Sequence, residues 1–330
     1  MPNFTLRASL VGLLLVALCG TAVPGWAQGS MDLLNVNSQM TGQQQPSGMA
    51  APEQQVYNSL SSGVSNTANA ARSYGYASSG VNILVLGDGY QYTQGDYNRY
   101  IALANRAAQA LFANNVVQEA QATYKLRLWP YFVPSRDAGS SSYTKQQSRS
   151  TALGSTYADR YQGDTMIWVN FQTAWNIARS IQGQSFSYIL VLVNAGQYAA
   201  MYWNYGVCVV ADFDRLTGVS NPVTFEDIVC HELLGHTVSG LWDEYVYNGK
   251  PNVAVSQSPN CDESGSNPKW MDLVGWQNVN WQWVYTGAYQ GCAMSSYFRP
   301  TDRNCKMNTW AQNPFCPVCK RQIIRVLAQY

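Results

Sequence analysis

Three short apolar runs constrain this chain more than any other feature. Residues 81–86 read Val-Asn-Ile-Leu-Val-Leu and stop at Gly87-Asp88-Gly89. Residues 188–193 and 206–211 are similar runs. Each is too short for a core helix and is bounded by turn formers, so each predicts a buried strand. A further strand is expected over 124–133, ended by Pro134-Ser135. Between these runs the period changes. Tyr100, Leu103, Ala104, Ala107, Ala110 and Leu111 fall on one face of a helix expected over 97–122. A second helix is expected over 167–180, and residues 136–165 read as polar loop. Strands alternating with helices imply an α/β layer with helices packed on a sheet. Beyond Tyr245 regular patterning thins while Trp, Gly and Cys increase. That predicts a smaller, irregular, cysteine-containing C-terminal subdomain from about residue 246, ending in a helix near 318–328.

The N-terminus has a different character. Arg7, the apolar run from Leu10 to Cys19 and the small residues around Gly25-Trp26-Ala27 read as an export signal over 1–27. The run is shorter than the roughly 20 apolar residues a membrane span needs, and no other long run exists. Residues 28–80 are rich in Gln, Asn, Ser, Gly and Ala and read as a low-complexity linker or arm. The ordered unit is expected over 81–330. Only 12% of residues are charged and the net charge is +1, which speaks against nucleic acid or an anionic membrane as partner. Loss of the signal would leave seven of the eight cysteines. In an oxidising compartment most of them should pair, Cys316 and Cys319 included, because no second Cys-x-x-Cys completes a four-cysteine metal site. Trp270, Trp276, Trp281 and Trp283 form a dense aromatic stretch, read as core rather than as ligand contact.

The chain has only two histidines, and they bracket Glu-Leu-Leu-Gly in His231-Glu232-Leu233-Leu234-Gly235-His236. Thr224 and Asp227 resemble an N-cap with its acidic partner, which places both histidines two to three turns into a helix. Imidazoles are common zinc ligands. A glutamate beside the first is suited to take a proton from a zinc-activated water attacking a carbonyl. The spacing is i,i+5. On a regular helix that turns the two rings about 140° apart. They converge only if the helix takes up an extra residue, as a π-bulge does, between Glu232 and His236. Gly235 sits where the backbone would give. Past Gly240, which allows the chain to turn back, Asp243 is the expected third metal ligand, with Glu244 the alternative or a group orienting a histidine.

These segments resemble the IgA-peptidase family of secreted, metzincin-like zinc metallopeptidases. The likeness rests on Asn82 to Tyr90, Leu190 to Asn194, His231 to Tyr245, Pro251-Asn252-Val253, Lys269-Trp270, Arg299-Pro300, Cys305-Lys306-Met307 and Phe315 to Cys319. The resemblance implies a zincin-like mixed sheet followed by the zinc helix, with Met307 in a turn beneath the metal. The family normally shows His-Glu-x-x-His; the expanded hexapeptide is instead similar to the zinc motif of dipeptidyl peptidase III, which the rest of the chain does not resemble. The expectation is therefore a secreted zinc peptidase, most simply an endopeptidase, acting on extracellular protein or peptide. Its metal would be held by His231, His236 and Asp243, with Glu232 as general base. The rival expectation is a catalytically inactive binding module whose site the inserted residue has spoiled. Neither reading fixes an oligomeric state.

Overall fold

A computed structural model describes residues 80–330, apart from 123–124, 158–165, 182–183, 198, 204, 214, 217–222, 247–253 and 310–313. The expected export signal, and all but the last residue of the expected arm, lie outside the described residues. No helix among the described residues is long and apolar enough to cross a membrane.

The chain runs through β1 (Val81–Asp88), α1 (Gln94–Ala113), α2 (Asn115–Glu119), β2 (Leu126–Tyr131), the short β3 (Ser141–Ser142), β4 (Thr156–Tyr157) and β5 (Ile167–Trp168), then α3 (Phe171–Ser180) and β6 (Tyr188–Val193). It continues through β7 (Ala200–Trp203), β8 (Val207–Ala211), β9 (Arg215–Leu216), β10 (Val223–Thr224) and α4 (Phe225–Val229), which passes directly into a π-helix, Cys230–Val238. The C-terminal region holds β11 (Gly275–Val279), β12 (Gln282–Thr286), β13 (Tyr289–Cys292), β14 (Met294–Arg299), α5 (Lys306–Thr309) and α6 (Pro317–Leu327).

The central sheet has the order β2-β1-β6-β8-β7. The first four strands are parallel, and β7 joins the edge antiparallel to β8. It is therefore the mixed α/β sheet expected. The uninterrupted apolar runs follow from burial on both faces. Successive side chains of β1 alternate: Val81, Ile83 and Val85 face one core, Leu84 and Leu86 the other. On the first face lie α1, the helix from Phe225 to Val238 and α6. On the second lie α3 and the segment carrying Leu153, Tyr157 and Ile167. The polar loop after β2 is organised by Asp88, fully buried at the end of β1. Its carboxylate accepts from Leu153 N (2.8 Å), Ser155 N (2.9 Å), Thr151 Oγ1 (2.8 Å) and Ser135 Oγ (3.2 Å).

Several expectations need correction. The helix expected over 97–122 breaks at Asn114, whose side chain accepts from Val116 N and starts a separate turn. Residues 167–168 pair with β4 as a strand, and helix α3 begins only after the Asn170 cap. The edge strand β7 falls in an apolar run, Ala199 to Trp203, that the sequence reading leaves unassigned, and the hairpins β11–β12 and β13–β14 carry no such run. Of the four tryptophans read as core, only Trp270 is buried. Trp276, Trp281 and Trp283 are 67%, 94% and 66% exposed, because β11 and β12 form a two-stranded sheet of their own. One disulfide closes among the described residues, Cys261–Cys292, while Cys208, Cys230, Cys305, Cys316 and Cys319 are unpaired and buried. Cys208 and Cys230 sit apart, one inside the sheet and one with its thiol directed at Ala110 O.

Candidate metal centre

The helix that carries both histidines begins with a full capping box. Thr224 Oγ1 accepts from Asp227 N at 3.2 Å, and Asp227 Oδ2 accepts from Thr224 N at 3.1 Å. Phe225, Ile228, Val229, Leu233 and Leu234 then anchor it in the core below the sheet. From Cys230 the helix is π-helical for nine residues. A helix closed from i to i+4 superposes residues four apart; one closed from i to i+5 superposes residues five apart. The inserted residue is thus absorbed by two wide turns rather than by a single bulge, and His231 and His236 face the same way.

Gly235 has a different role from the hinge expected of it. It does not sit at a positive φ. A Cβ there would lie 2.5 Å from Met307 Sδ, so glycine is what lets Met307 pack directly against the π-helix. Gly240, by contrast, does sit at φ +66° with open space around it. That left-handed residue turns the chain back toward the histidines.

The structure brings three of the sequence-predicted site residues together. His231 Nε2 and His236 Nε2 are 3.1 Å apart, and Asp243 Oδ1 is 3.2 Å from each. The imidazole planes are close to perpendicular, at 89°. Each ring is held from behind: His231 Nδ1 is 3.0 Å from Lys306 O, and His236 Nδ1 is 2.6 Å from Leu241 O. A carbonyl oxygen has no hydrogen to give, so both Nδ1 atoms carry the proton and donate. Both Nε2 atoms then direct lone pairs at one another and at a carboxylate oxygen. Three acceptors so close require a cation between them. The spacing is close to the roughly 3.3 Å edge of a tetrahedron with metal–ligand bonds of about 2.0 Å. In the protein alone a proton can serve: although burial opposes charge on His236, the Asp243 carboxylate raises its pKa to about 9. Burial likewise pushes Asp243 up, but the two imidazoles outweigh it and hold the carboxyl well below the usual range.

Glu232 is 9% exposed and lies within electrostatic reach of all three groups. Burial pushes its carboxyl upward, the histidines pull it down, and Asp243 adds to the rise. The net effect is a carboxylate more basic than usual, as a proton acceptor needs. Glu244, the alternative ligand, turns away from the histidines. It is completely buried, with Oε1 accepting from Asn260 Nδ2 at 3.1 Å.

Sequence reading missed the groups that hold Asp243 in place. Asn260 accepts from Trp242 N and donates to Trp242 O, both at 2.8 Å. Ala293 N reaches Asp243 O at 3.1 Å and Tyr245 O at 3.0 Å. Glu244 N donates to Met307 O at 2.8 Å. Asn260 precedes Cys261 and Ala293 follows Cys292, so the disulfide ties together the two clamps on the Asp243 segment. Lys306 was missed too. Its carbonyl orients His231, and its ammonium pairs with Asp227 Oδ1 at 2.7 Å, joining the helix cap to the candidate metal group. No spacing rule reveals these partners, because even the nearest, Asn260, lies 18 residues from the segment it holds.

The fold and the site together define an α/β protein with a candidate metal-binding group on a helix beneath its sheet. The model of the IgA peptidase M64 family matches residues 71–283. The chain therefore belongs to that family of peptidases. The match takes in the π-helix and Asp243 and ends before Cys305, Met307, Cys316 and Cys319. No curated protein matches the chain.

Proposed function

We propose that this protein is a secreted zinc metalloendopeptidase. His231, His236 and Asp243 hold the metal and Glu232 is the general base. The observation that carries the reading is the triangle of Nε2, Nε2 and Oδ1 atoms, 3.1–3.2 Å on a side, beside a buried glutamate. Two nitrogens and one oxygen are ligands that suit zinc, and three protein ligands leave a position open for chemistry. When bound, zinc acidifies a water and polarises the scissile carbonyl. The remaining work falls to the chain. Lys306 O and Leu241 O fix the imidazoles in the tautomer that presents Nε2. Glu232, made more basic by burial, accepts the proton of the attacking water and can return it to the leaving amine. Peptide is approached from the side of Asp243, the more exposed of the three ligands.

The domain plan that accompanies this reading is an export signal over 1–27, an arm over 28–80 and a catalytic unit over 81–330. The Cys261–Cys292 disulfide supports an oxidising, extracellular or periplasmic setting. The rival, an inactive binding module, needs the expanded spacing to separate the histidines; their convergence on the π-helix favours the peptidase. The test is zinc content and casein cleavage of the full chain. Chelator-sensitive cleavage is expected, and His236→Ala should lose that cleavage together with one equivalent of zinc. Equal zinc content and equal cleavage in wild type and His236→Ala would sink the proposal.

A further inference from the structure

Glu244 presents a problem that the metal centre does not solve. Its side chain is fully buried, and among the described residues Oε2 has no hydrogen-bond partner. Around it stand three buried, unpaired cysteines from two segments: Cys305 just before α5, and Cys316 and Cys319 at the start of α6. Glu244 Oε1 is 3.1 Å from Cys319 Sγ and 3.8 Å from Cys316 Sγ, and Cys305 Sγ is 3.7 Å from Cys319 Sγ. One ligand atom from each of the four residues falls within 4.8 Å of every other. A tetrahedral zinc site with bonds of about 2.0–2.3 Å has edges of about 3.5–3.8 Å. Four such donors around one point, with no solvent access, match a closed structural site rather than an open catalytic one.

We infer that Cys305, Cys316, Cys319 and Glu244 bind a second zinc ion in a structural site behind the first. A disulfide is the competing fate of these cysteines, and it fits the group less well. Three sulfurs cannot all pair, so one bridge leaves a thiol over and still gives Glu244 Oε2 no partner. A divalent ion satisfies all four donors at once. Binding displaces the three thiol protons to solvent and keeps Glu244 as a carboxylate, so four anionic ligands face a dication. The excess negative charge meets the N-terminus of α6, an eleven-residue helix capped by Cys316 itself. Cys316 N also points at Cys305 Sγ, at 3.4 Å. Soft sulfur donors select zinc over magnesium or calcium.

The consequence is structural coupling. Asp243 and Glu244 are adjacent, so one peptide unit ties the open triangle to the closed tetrahedron. Glu244 N and O are held by Met307 O and Asn308 Nδ2, at 2.8 and 2.7 Å, within the turn that also carries Cys305. The second ion would lock that turn, and with it the Lys306 carbonyl behind His231.

This inference does not depend on the peptidase reading, and the experiment keeps the two apart. The full chain, purified from cobalt-supplemented cells, should hold two metal ions. It should also show an intense thiolate-to-cobalt charge-transfer band in the near ultraviolet. The His231→Ala/His236→Ala protein should keep one ion and the whole of that band, which a site made only of imidazole and carboxylate cannot produce. In both proteins Cys305, Cys316 and Cys319 should resist alkylation until a chelator is added. Absence of the band from cobalt-loaded wild type overturns the inference. So does a disulfide joining any two of the three cysteines in intact-mass and peptide mapping. Both measurements use the unaltered cysteines and do not rely on a variant that folds poorly.

Discussion

Two candidate metal-binding clusters meet back to back at Asp243-Glu244, and they differ in almost every respect. The first has three candidate ligands, two from one π-helix and the third seven residues on. Asp243 keeps 17% of its side chain exposed. The second gathers one carboxylate and three thiols from three segments, all of them buried, with Glu244 72 residues before Cys316. A local, partly open group suits chemistry on a substrate; a remote, closed group suits holding chain segments together. The difference also explains why only the first is visible as a motif. Helical periodicity links residues five apart, but nothing local links Glu244 to Cys305 or Cys319.

The comparison can be broken most severely at Glu232. Glu232→Gln should lower kcat by about 10²–10⁴-fold while metal content and folding stay unchanged. A parallel loss of metal would make Glu232 a structural part of the first cluster. The next largest effect is expected from removing the disulfide. Cys261→Ala/Cys292→Ala opens a 31-residue link and should cost about 2–4 kcal/mol in denaturant unfolding. Because Asn260 and Ala293 flank that bridge, metal should also be lost to a competing chelator more readily from the first cluster than from the thiolates.

Gly235 tests what the π-helix requires. Gly235→Ala forces a methyl against Met307 Sδ and should cost roughly 1–3 kcal/mol. Pairing it with Met307→Ala should recover part of that loss in a double-mutant cycle, because the clash partner is gone. If the double variant is no better than the sum of the two singles, the close contact is not what demands glycine.

Asp227 sharpens the comparison through pH. Burial alone would raise its carboxyl, but Lys306 and the Thr224 cap outweigh burial and lower it. A depressed folded-state value stabilises the fold above the unfolded pKa of about 3.9, and the contribution is lost as pH falls through the folded value. Asp227→Asn should therefore cost about 1–2 kcal/mol near neutral pH. Its difference from wild type should shrink below about pH 4 in urea titrations. The smallest effect is expected on the exposed hairpin. Trp281→Ser should change stability by no more than about 0.5 kcal/mol and leave both metal sites filled.

Much of this is legible in the sequence. The apolar runs at β1, β6 and β8 imply a buried sheet because each alternation has both faces covered. Thr224 and Asp227 mark the helix start because capping is a local exchange of hydrogen bonds. The i,i+5 spacing of the only two histidines requires a widened helix if they are to act together, and a widened helix is what forms. The hairpins of the C-terminal region were not readable. Their strands are short and mostly not fully buried, so they lack the apolar signal that burial writes into β1. The exposed tryptophans misled for the same reason: a large apolar side chain usually means core, and only the absence of a covering layer over β11 and β12 shows otherwise.

By itself the sequence determined what depends on neighbours in the chain: the strands buried on both faces, the capped helix, and the need to widen it around His231 and His236. Tertiary structure alone decided what depends on distant segments meeting. It turned Asp243 toward the histidines and Glu244 toward three thiols, set carbonyls of Lys306 and Leu241 behind the imidazoles, and left Gly235 no room for a side chain. The physical reason is one of range. Backbone hydrogen bonding and periodic burial act over a few residues, whereas a metal group, a disulfide clamp or a steric contact is fixed only when the whole core has closed.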